Sequence, residues 1–345
     1  MASKESYALK VGERILVTGA NGFIGSNIVD FLLSLGYIVR GTVRSEKPWV
    51  NEVFESKYGA GKFEPFIVPN LDDKEAIDAV LKGVSGVVHV ASDTSFSADA
   101  SKVINSVVAA IEAVLEAASK VPSVKRVVLT SSSVAAAPPR PPGEGSLLLT
   151  QDTWNDASVK EAWDEDTPAE IKGFSVYAAS KTEGERAASN WVKKNNPGFT
   201  FNSVLPDYTT GNLLHPTSGS TGLLLLQLLE GNNAAILMGA CQYYIDVKDL
   251  ARLHAIALLD PSVKSERLFG YASPLIWRDV VSTLRELCPT NEKLIKDEDI
   301  PPVGGGFVKV VPPNRSKELL SSFFGQDEWT SLRESLEAGV NSLGL

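Results

Sequence analysis

Residues Arg14-Ile-Leu-Val-Thr-Gly19-Ala-Asn-Gly22-Phe-Ile-Gly25 place a short β-branched run, a glycine-punctuated turn and the start of an amphipathic stretch in immediate succession. That order constrains the fold more than any other feature of the chain. A buried strand that passes through glycines into a helix N-terminus opens a dinucleotide-binding α/β unit. In this reading Gly19 turns the chain tightly, Gly22 lets backbone approach a pyrophosphate, and Gly25 lets the helix pack closely on the strand. The phosphate cradle then comprises Gly19, Asn21 and Gly22 with the first helical residues Phe23, Ile24 and Gly25, where free N–H groups and the helix dipole meet an anion. The GxxGxxG spacing is one residue wider than the GxGxxG of many dehydrogenases. Taken without its flanking strand and helix, it also describes an ordinary glycine-rich βα turn.

The rest of the first half repeats the alternation. Strands are predicted at Arg14–Thr18, Ile38–Val43, Phe63–Val68, Gly86–Val90, Arg126–Thr130 and Thr200–Leu205, with helices at Gly25–Leu35, Lys74–Leu81, Val103–Ala118 and Tyr177–Lys194. Six such strands imply an α/β fold with a doubly wound parallel (Rossmann) sheet over residues 1–205. The prolines of PPRPPGEG, from Pro138 to Gly145, exclude helix and central strand and begin a long loop running to about Gly173. Beyond Pro206 the alternation loosens into a glycine- and serine-rich turn at Ser218–Gly222, a leucine-rich helix, a strand at Gln242–Val247 and a helix at Asp249–Leu259. Residues 206–345 read as a smaller C-terminal α/β lobe for substrate, with 240–259 returning to the first domain.

Composition narrows the partners. A net charge of -9 and a pI near 5.1 give no basic field for nucleic acid or anionic lipid. No apolar run is long enough to span a bilayer. Cys241 and Cys288 are isolated, which suits a reducing compartment and a cytoplasmic location, and the polar start of the chain has no signal-peptide core. His89, His215 and His254 have no ligand spacing, so no metal site is expected.

At the end of the second predicted strand an Asp or Glu would bind a ribose 2′-hydroxyl and repel a 2′-phosphate. The strand instead reads Val39-Arg40-Gly41-Thr42-Val43-Arg44, with Lys47 beyond, which favours NADP(H) through Arg40 and Arg44. As an alternative, both arginines are solvated strand-end charges. A YxxxK pair occurs three times, at Tyr58–Lys62, Tyr177–Lys181 and Tyr244–Lys248. Gly59 and Gly61 place the first in a loop, and the third lies in an alternating stretch. Tyr177 alone opens a good helix, where Lys181 one turn on favours the phenolate and tunes the phenol for proton transfer. The strand Val127-Val128-Leu129-Thr130 ends in Ser131-Ser132-Ser133, at the edge where open α/β sheets gather ligands. Ser132 is placed to hold a substrate carbonyl, with Ser131 and Ser133 left to satisfy loop backbone; each of the three also has that purely structural reading.

These motifs resemble the extended short-chain dehydrogenases/reductases, in the branch of dihydroflavonol reductase, cinnamoyl-CoA reductase and especially the fungal aldehyde and carbonyl reductases. The likeness runs through TGANGFIGS, VRGTVRS, GVVHVAS, SVKRVVLTSSS, YAASKTEGE and LPDYTTG, nearly the whole chain. It implies a Ser132, Tyr177, Lys181 triad, NADPH as hydride donor, Arg44 on the 2′-phosphate, Lys181 on the nicotinamide ribose, and Leu71, Val90, Ala91 and Pro206 along the cofactor cleft. Two positions depart from that family's pattern: Asn70 stands where an acid near the adenine is common, and Asp207 follows Pro206 where Asn is more usual. Phe96, Ser133, Val134, Trp154, Tyr208 and the helix beginning at Leu223 are expected to wall the substrate pocket. The expected activity is reduction of a small-molecule aldehyde or ketone by a monomer or homodimer. The alternatives are a nucleotide-sugar epimerase or dehydratase of the same fold and a non-catalytic NADP(H)-sensing protein.

Overall fold

A computed structural model describes residues 3–138, 146–216, 221–233, 236, 243–296, 300, 308–311 and 314–345. Residues 139–145 of the proline-rich stretch, 218–220 of the glycine- and serine-rich turn, Cys241 and Gln242 lie outside the described residues.

The β-branched runs form β1 (Arg14–Thr18), β2 (Ile38–Val43), β3 (Phe63–Ile67), β4 (Gly86–His89) and β5 (Arg126–Thr130). After a short β6 (Leu148–Leu149) follow β7 (Thr200–Pro206), β8 (Tyr208–Thr210), β9 (Tyr243–Asp246), β10 (Arg267–Gly270), β11 (Ser273–Pro274) and β12 (Lys309–Val310). Seven of them make one parallel sheet in the order β10-β7-β5-β4-β1-β2-β3. The order reverses between β1 and β4, so the ligand crevice of a doubly wound sheet opens above those two strands.

The helices are α1 (Phe23–Ser34), α2 (Pro48–Tyr58), α3 (Lys74–Val80), α4 (Ala100–Ser119), α5 (Asp156–Trp163), α6 (Ala169–Asn195), α7 (Thr221–Leu229), α8 (Val247–Leu259), α9 (Trp277–Leu287), α10 (Arg315–Phe324) and α11 (Leu332–Ser342). Both faces of the inner strands are covered, which explains why β1, β4 and β5 are apolar without alternation, while the edge strand β3 is largely exposed. Ile15 and Val17 face a core shared with α1, α8 and α10, while Leu16 between them faces α3 and α4. A second core gathers Tyr208, Leu225, Leu228, Tyr244, Val280, Leu284, Leu336 and Val340 around β8, β9 and their helices. There β9 pairs in parallel with β8 and antiparallel with β11. No helix among the described residues is long and apolar enough to cross a membrane.

Three expectations change. The stretch 138–173 is not one irregular loop: it carries β6 and α5, and α6 begins at Ala169. Asn155 caps α5 by accepting from the Ser158 N–H. Tyr58, read with Lys62 as part of a loop, ends a helix instead: α2 has Pro48 at its first turn and Val50 and Phe54 buried four apart. The second half also returns to the large sheet more fully than 240–259. Helix α8 packs there and β9 sends Ile245 into the same core while pairing with β8 and β11, β10 becomes the edge strand of the large sheet, and Leu319, Leu320 and Phe323 of α10 join its core.

Candidate functional site

The glycine loop is built around clearances that admit no side chain. Gly19 has φ +69°, and a Cβ on it would sit 3.1 Å from the Ala91 backbone. A Cβ on Gly25 would lie 2.2 Å from the Gly19 carbonyl oxygen. The turn is closed by the Gly22 N–H donating to Gly19 O at 3.0 Å and by the Ala20 N–H donating to Thr42 O at 3.0 Å. Gly22 then caps α1 without a side-chain bond. The first-turn N–H groups are left pointing at the crevice, which suits a pyrophosphate. Asn21 and Ile24 are half-buried in this turn. Phe23 can offer only its backbone to the crevice, because its side chain is buried against Leu213 and Val247.

Thr18 locks the cradle to the end of β4. Its Oγ1 accepts from the Val90 and Ala91 N–H groups at 3.0 and 3.1 Å and lies 3.0 Å from His89 Nδ1. With those acceptor positions filled, the Thr18 hydroxyl donates to Nδ1, which makes His89 a neutral imidazole protonated on Nε2. Burial holds His89 in that form, pulling its pKa down to about 4, and the Lys181 charge adds to the effect. Val90 and Ala91 are half-buried at the crevice, beside the glycine turn.

At the β2 end the two arginines separate. Arg44 is exposed and makes no ion pair among the described residues. Arg40 is not available to a cofactor: it is 8% exposed, its Nε and Nη2 donate to Glu64 Oε2 at 2.9 and 2.8 Å, and its Nη1 donates to the carbonyls of Val80 and Lys82. Strand alternation turns Arg40 toward α3, on the face opposite Val39. It ties β2, β3 and the end of α3 together. Asn70 is exposed and Leu71 half-buried after β3, and Pro206 is buried at the end of β7.

The catalytic candidates converge from β5 and α6. Strand β5 ends at Thr130, and Ser132 caps a short 3-10 turn at Ser133–Ala135 that packs on α6. Tyr177 does not open the helix; α6 starts eight residues earlier, at Ala169. Gly173, taken as the end of the loop, lies inside this helix, and it is needed there because a Cβ would meet the Phe96 carbonyl oxygen at 2.2 Å. The extra turns bring Phe174 to 6.3 Å from the Tyr177 ring. Ala178, Ala179 and Ser180 are all buried behind Tyr177. One turn beyond, Lys181 is buried and its Nζ donates to Thr130 O at 3.4 Å. Burial pulls Lys181 down to about 8, partly countered by the Glu185 carboxylate.

The other two YxxxK pairs are structural. The Tyr58 hydroxyl lies on the Asp30 carbonyl and carboxylate, and the Tyr244 hydroxyl donates to Thr330 O.

Among the pocket candidates, Phe96 is 46% exposed, has φ +53°, and stands 4.9 Å from the Tyr177 ring. Ser133 donates to Asp207 Oδ1 at 3.1 Å, and Asp207 Oδ2 accepts the Tyr243 N–H at 2.9 Å. Asp207 therefore braces β7, β9 and the turn after β5. Val134 is buried in that turn, and Leu223 is half-buried on α7. Two candidates are displaced. Trp154 lies under the Arg267 guanidinium, 4.1 Å from its ring centre, with Arg186 at 5.2 Å, at the β10 edge of the sheet. Tyr208 is fully buried in the second core, edge-on to Trp277, because β8 turns it inward.

Sequence reasoning missed Phe174, whose spacing of three from Tyr177 was available once the helix was extended. It also missed Glu185: its spacing of four from Lys181 was available, but its partners Ser131, Ser203 and Arg267 are distant in sequence.

Residues 15–268 match the family model described as the NAD dependent epimerase/dehydratase family. Ketoreductase adrE of Penicillium rubens is 44% identical over 348 residues, covering 99% of each chain. Aldehyde reductase 2 of Sporidiobolus salmonicolor is 38% identical, again over 99% of each. The crystal structure of yeast methylglyoxal/isovaleraldehyde reductase Gre2 complexed with NADPH superposes with a TM-score of 0.77 at 25% identity, over 96% of this chain and 98% of that one.

Proposed function

The chain belongs to the NAD-dependent epimerase/dehydratase family, and from that premise we propose that it reduces aldehydes and ketones to alcohols with NADPH, with Tyr177 as proton donor. The observation that carries this reading is the placement of Tyr177 and buried Lys181 on one helix beside the hydroxyls that end β5. The ketoreductase and aldehyde reductase relatives, which span the full chain, support the reaction class. The glycine clearances, the absence of a side-chain cap on α1 and the exposed Arg44, without an ion pair among the described residues, fit NADP(H).

When bound, NADPH supplies the hydride to the carbonyl carbon. Ser132 donates a hydrogen bond to the carbonyl oxygen and shares the charge that develops there. The Tyr177 hydroxyl gives its proton to that oxygen. Lys181, cationic beside it, stabilises the phenolate left behind and hydrogen-bonds the ribose. Phe96 and Phe174 cluster with the Tyr177 ring and supply an apolar wall beside the phenol. The isolated cysteines and acidic charge suit work in the cytoplasm.

Mixing the protein with NADPH and a panel of aryl ketones and aldehydes is expected to consume NADPH in proportion to alcohol formed. Tight NADPH binding with no turnover on any of them would instead make the protein a binding module. Arg44→Ser is expected to weaken NADPH about tenfold or more while leaving NADH nearly unchanged, since only the 2′-phosphate loses a charge-assisted partner. Titration of both cofactors by fluorescence checks this, and equal losses would move the 2′-phosphate away from Arg44.

A further inference from the structure

Glu185 is a buried acid outside the triad. It is 1% exposed, yet each of its carboxyl oxygens meets two donors. Oε1 accepts from Ser203 Oγ at 2.5 Å and Arg267 Nε at 2.8 Å. Oε2 accepts from Ser131 Oγ at 2.8 Å and Arg267 Nη2 at 3.0 Å. A carboxyl that accepts four bonds and donates none is the ionised form. Its donors come from β7, β10 and the residue immediately before Ser132. It also sits one helical turn from Lys181 on α6, and the two side chains share the wall of a cavity of about 10 Å³ with Ser92, Ser131 and Ser180. That space accommodates about one water, and Ser92 Oγ on its wall is buried with no hydrogen-bond partner among the described residues.

We infer that Glu185 is a positioning residue for the reaction: a buried anion, pinned by Ser131, Ser203 and Arg267, that sets α6 against the Ser132 strand and supplies the counter-charge to Lys181. The inference rests on the reductase reading above. A purely structural ion pair has no need to stand one turn from the catalytic lysine or to bond the neighbour of the carbonyl-binding serine. The other groups around Lys181 leave this task to Glu185. From β4 comes His89, which is neutral, and from α8 comes His254, neutral and bonded to Thr130. From the end of β5 come the Thr130 carbonyl and the Ser131 hydroxyl, and α4 presents only Val107 and Ile111 to the cavity. Tyr177 lies one turn before it on α6, and the Arg267 cation stands behind Glu185.

The sign of the effect follows. Burial disfavours the Lys181 cation, and the carboxylate opposes that loss. Removing the negative charge makes Lys181 shed its proton at lower pH, so the alkaline limb of kcat/KM moves acidward. For Glu185→Gln that shift is expected to be about one pH unit, with NADPH affinity kept. Glu185→Gln with Arg267→Met removes both buried charges, and its limb is expected between those of Glu185→Gln and the parent, because the nearer anion dominates. An alkaline limb unmoved in Glu185→Gln overturns the inference, even if the melting temperature drops. If the single variant does not fold, a double variant whose limb coincides with the parent overturns it equally. Tyr177→Phe in the same assay separates the two readings. Retained turnover there defeats the reductase mechanism itself, whereas an inactive Tyr177→Phe with an unmoved limb in the Glu185 variants defeats only the role of Glu185.

Discussion

Tyr177→Phe is expected to lower kcat for carbonyl reduction by roughly 10²–10⁴-fold and to leave NADPH binding within a factor of about two. The substitution deletes one oxygen. It keeps the ring in its cluster with Phe96 and Phe174, at centroid separations of 4.9 and 6.3 Å, and it keeps α6 and the buried Ala178, Ala179 and Ser180 behind it. The fold and the cradle around Gly19 are untouched, so the loss falls on proton transfer alone. Lys181 remains cationic with no phenol to tune, and Ser132 can hold the carbonyl oxygen without neutralising it. Stopped-flow or steady-state loss of NADPH absorbance measures kcat, and NADPH fluorescence measures binding. Retained turnover removes Tyr177 from the chemistry, and a parallel loss of binding recasts it as a cofactor contact.

The parts of this site that were legible in the sequence are those with a local period. The strand–glycine–helix order at Arg14–Gly25 and the i, i+4 pair Tyr177 and Lys181 can be read because backbone geometry alone fixes what such neighbours share. Arg40 and Arg44 look alike in sequence and differ in space. Four residues apart on a strand and at its end, they part because Arg40 is taken up by Glu64 and two carbonyls that are not local to it, while Arg44 stays exposed. Trp154 and Tyr208 were misplaced for the same reason: a pocket wall is made by tertiary contact, and an aromatic residue near the right motif carries no sign of which way it faces. Helix α5 and the first turns of α6 were hidden because the loop begun by the prolines was carried on to Gly173. At that glycine, tertiary contact with Phe96 overrides helix propensity. Strand β10 was missed because four residues at the sheet edge give too short a pattern.

Gly25→Ala is the substitution expected to damage the cofactor site most. A methyl group there would stand 2.2 Å from the Gly19 carbonyl oxygen and 3.0 Å from its carbon, with no flexible side chain to yield. The conflict is between two backbone segments. Either α1 lifts away from the turn or the turn opens, and both displace the N–H groups of Phe23 and Ile24 from the anion position. Overpacking of this kind costs about 1–3 kcal/mol of stability, which for a chain of this size lowers Tm by roughly 2–10 °C. The larger effect is on the cofactor: losing aligned, charge-assisted donors to a pyrophosphate is expected to raise the NADPH Kd by about 100-fold. Because Tyr177, Lys181 and Ser132 are held by β5 and α6, away from α1, kcat at saturating NADPH should fall far less than kcat/KM. Calorimetric titration with NADPH against the melting curve separates the two. If the variant melts several degrees lower and yet binds NADPH as tightly as the parent, the pyrophosphate lies elsewhere and the glycine loop is only a packing device.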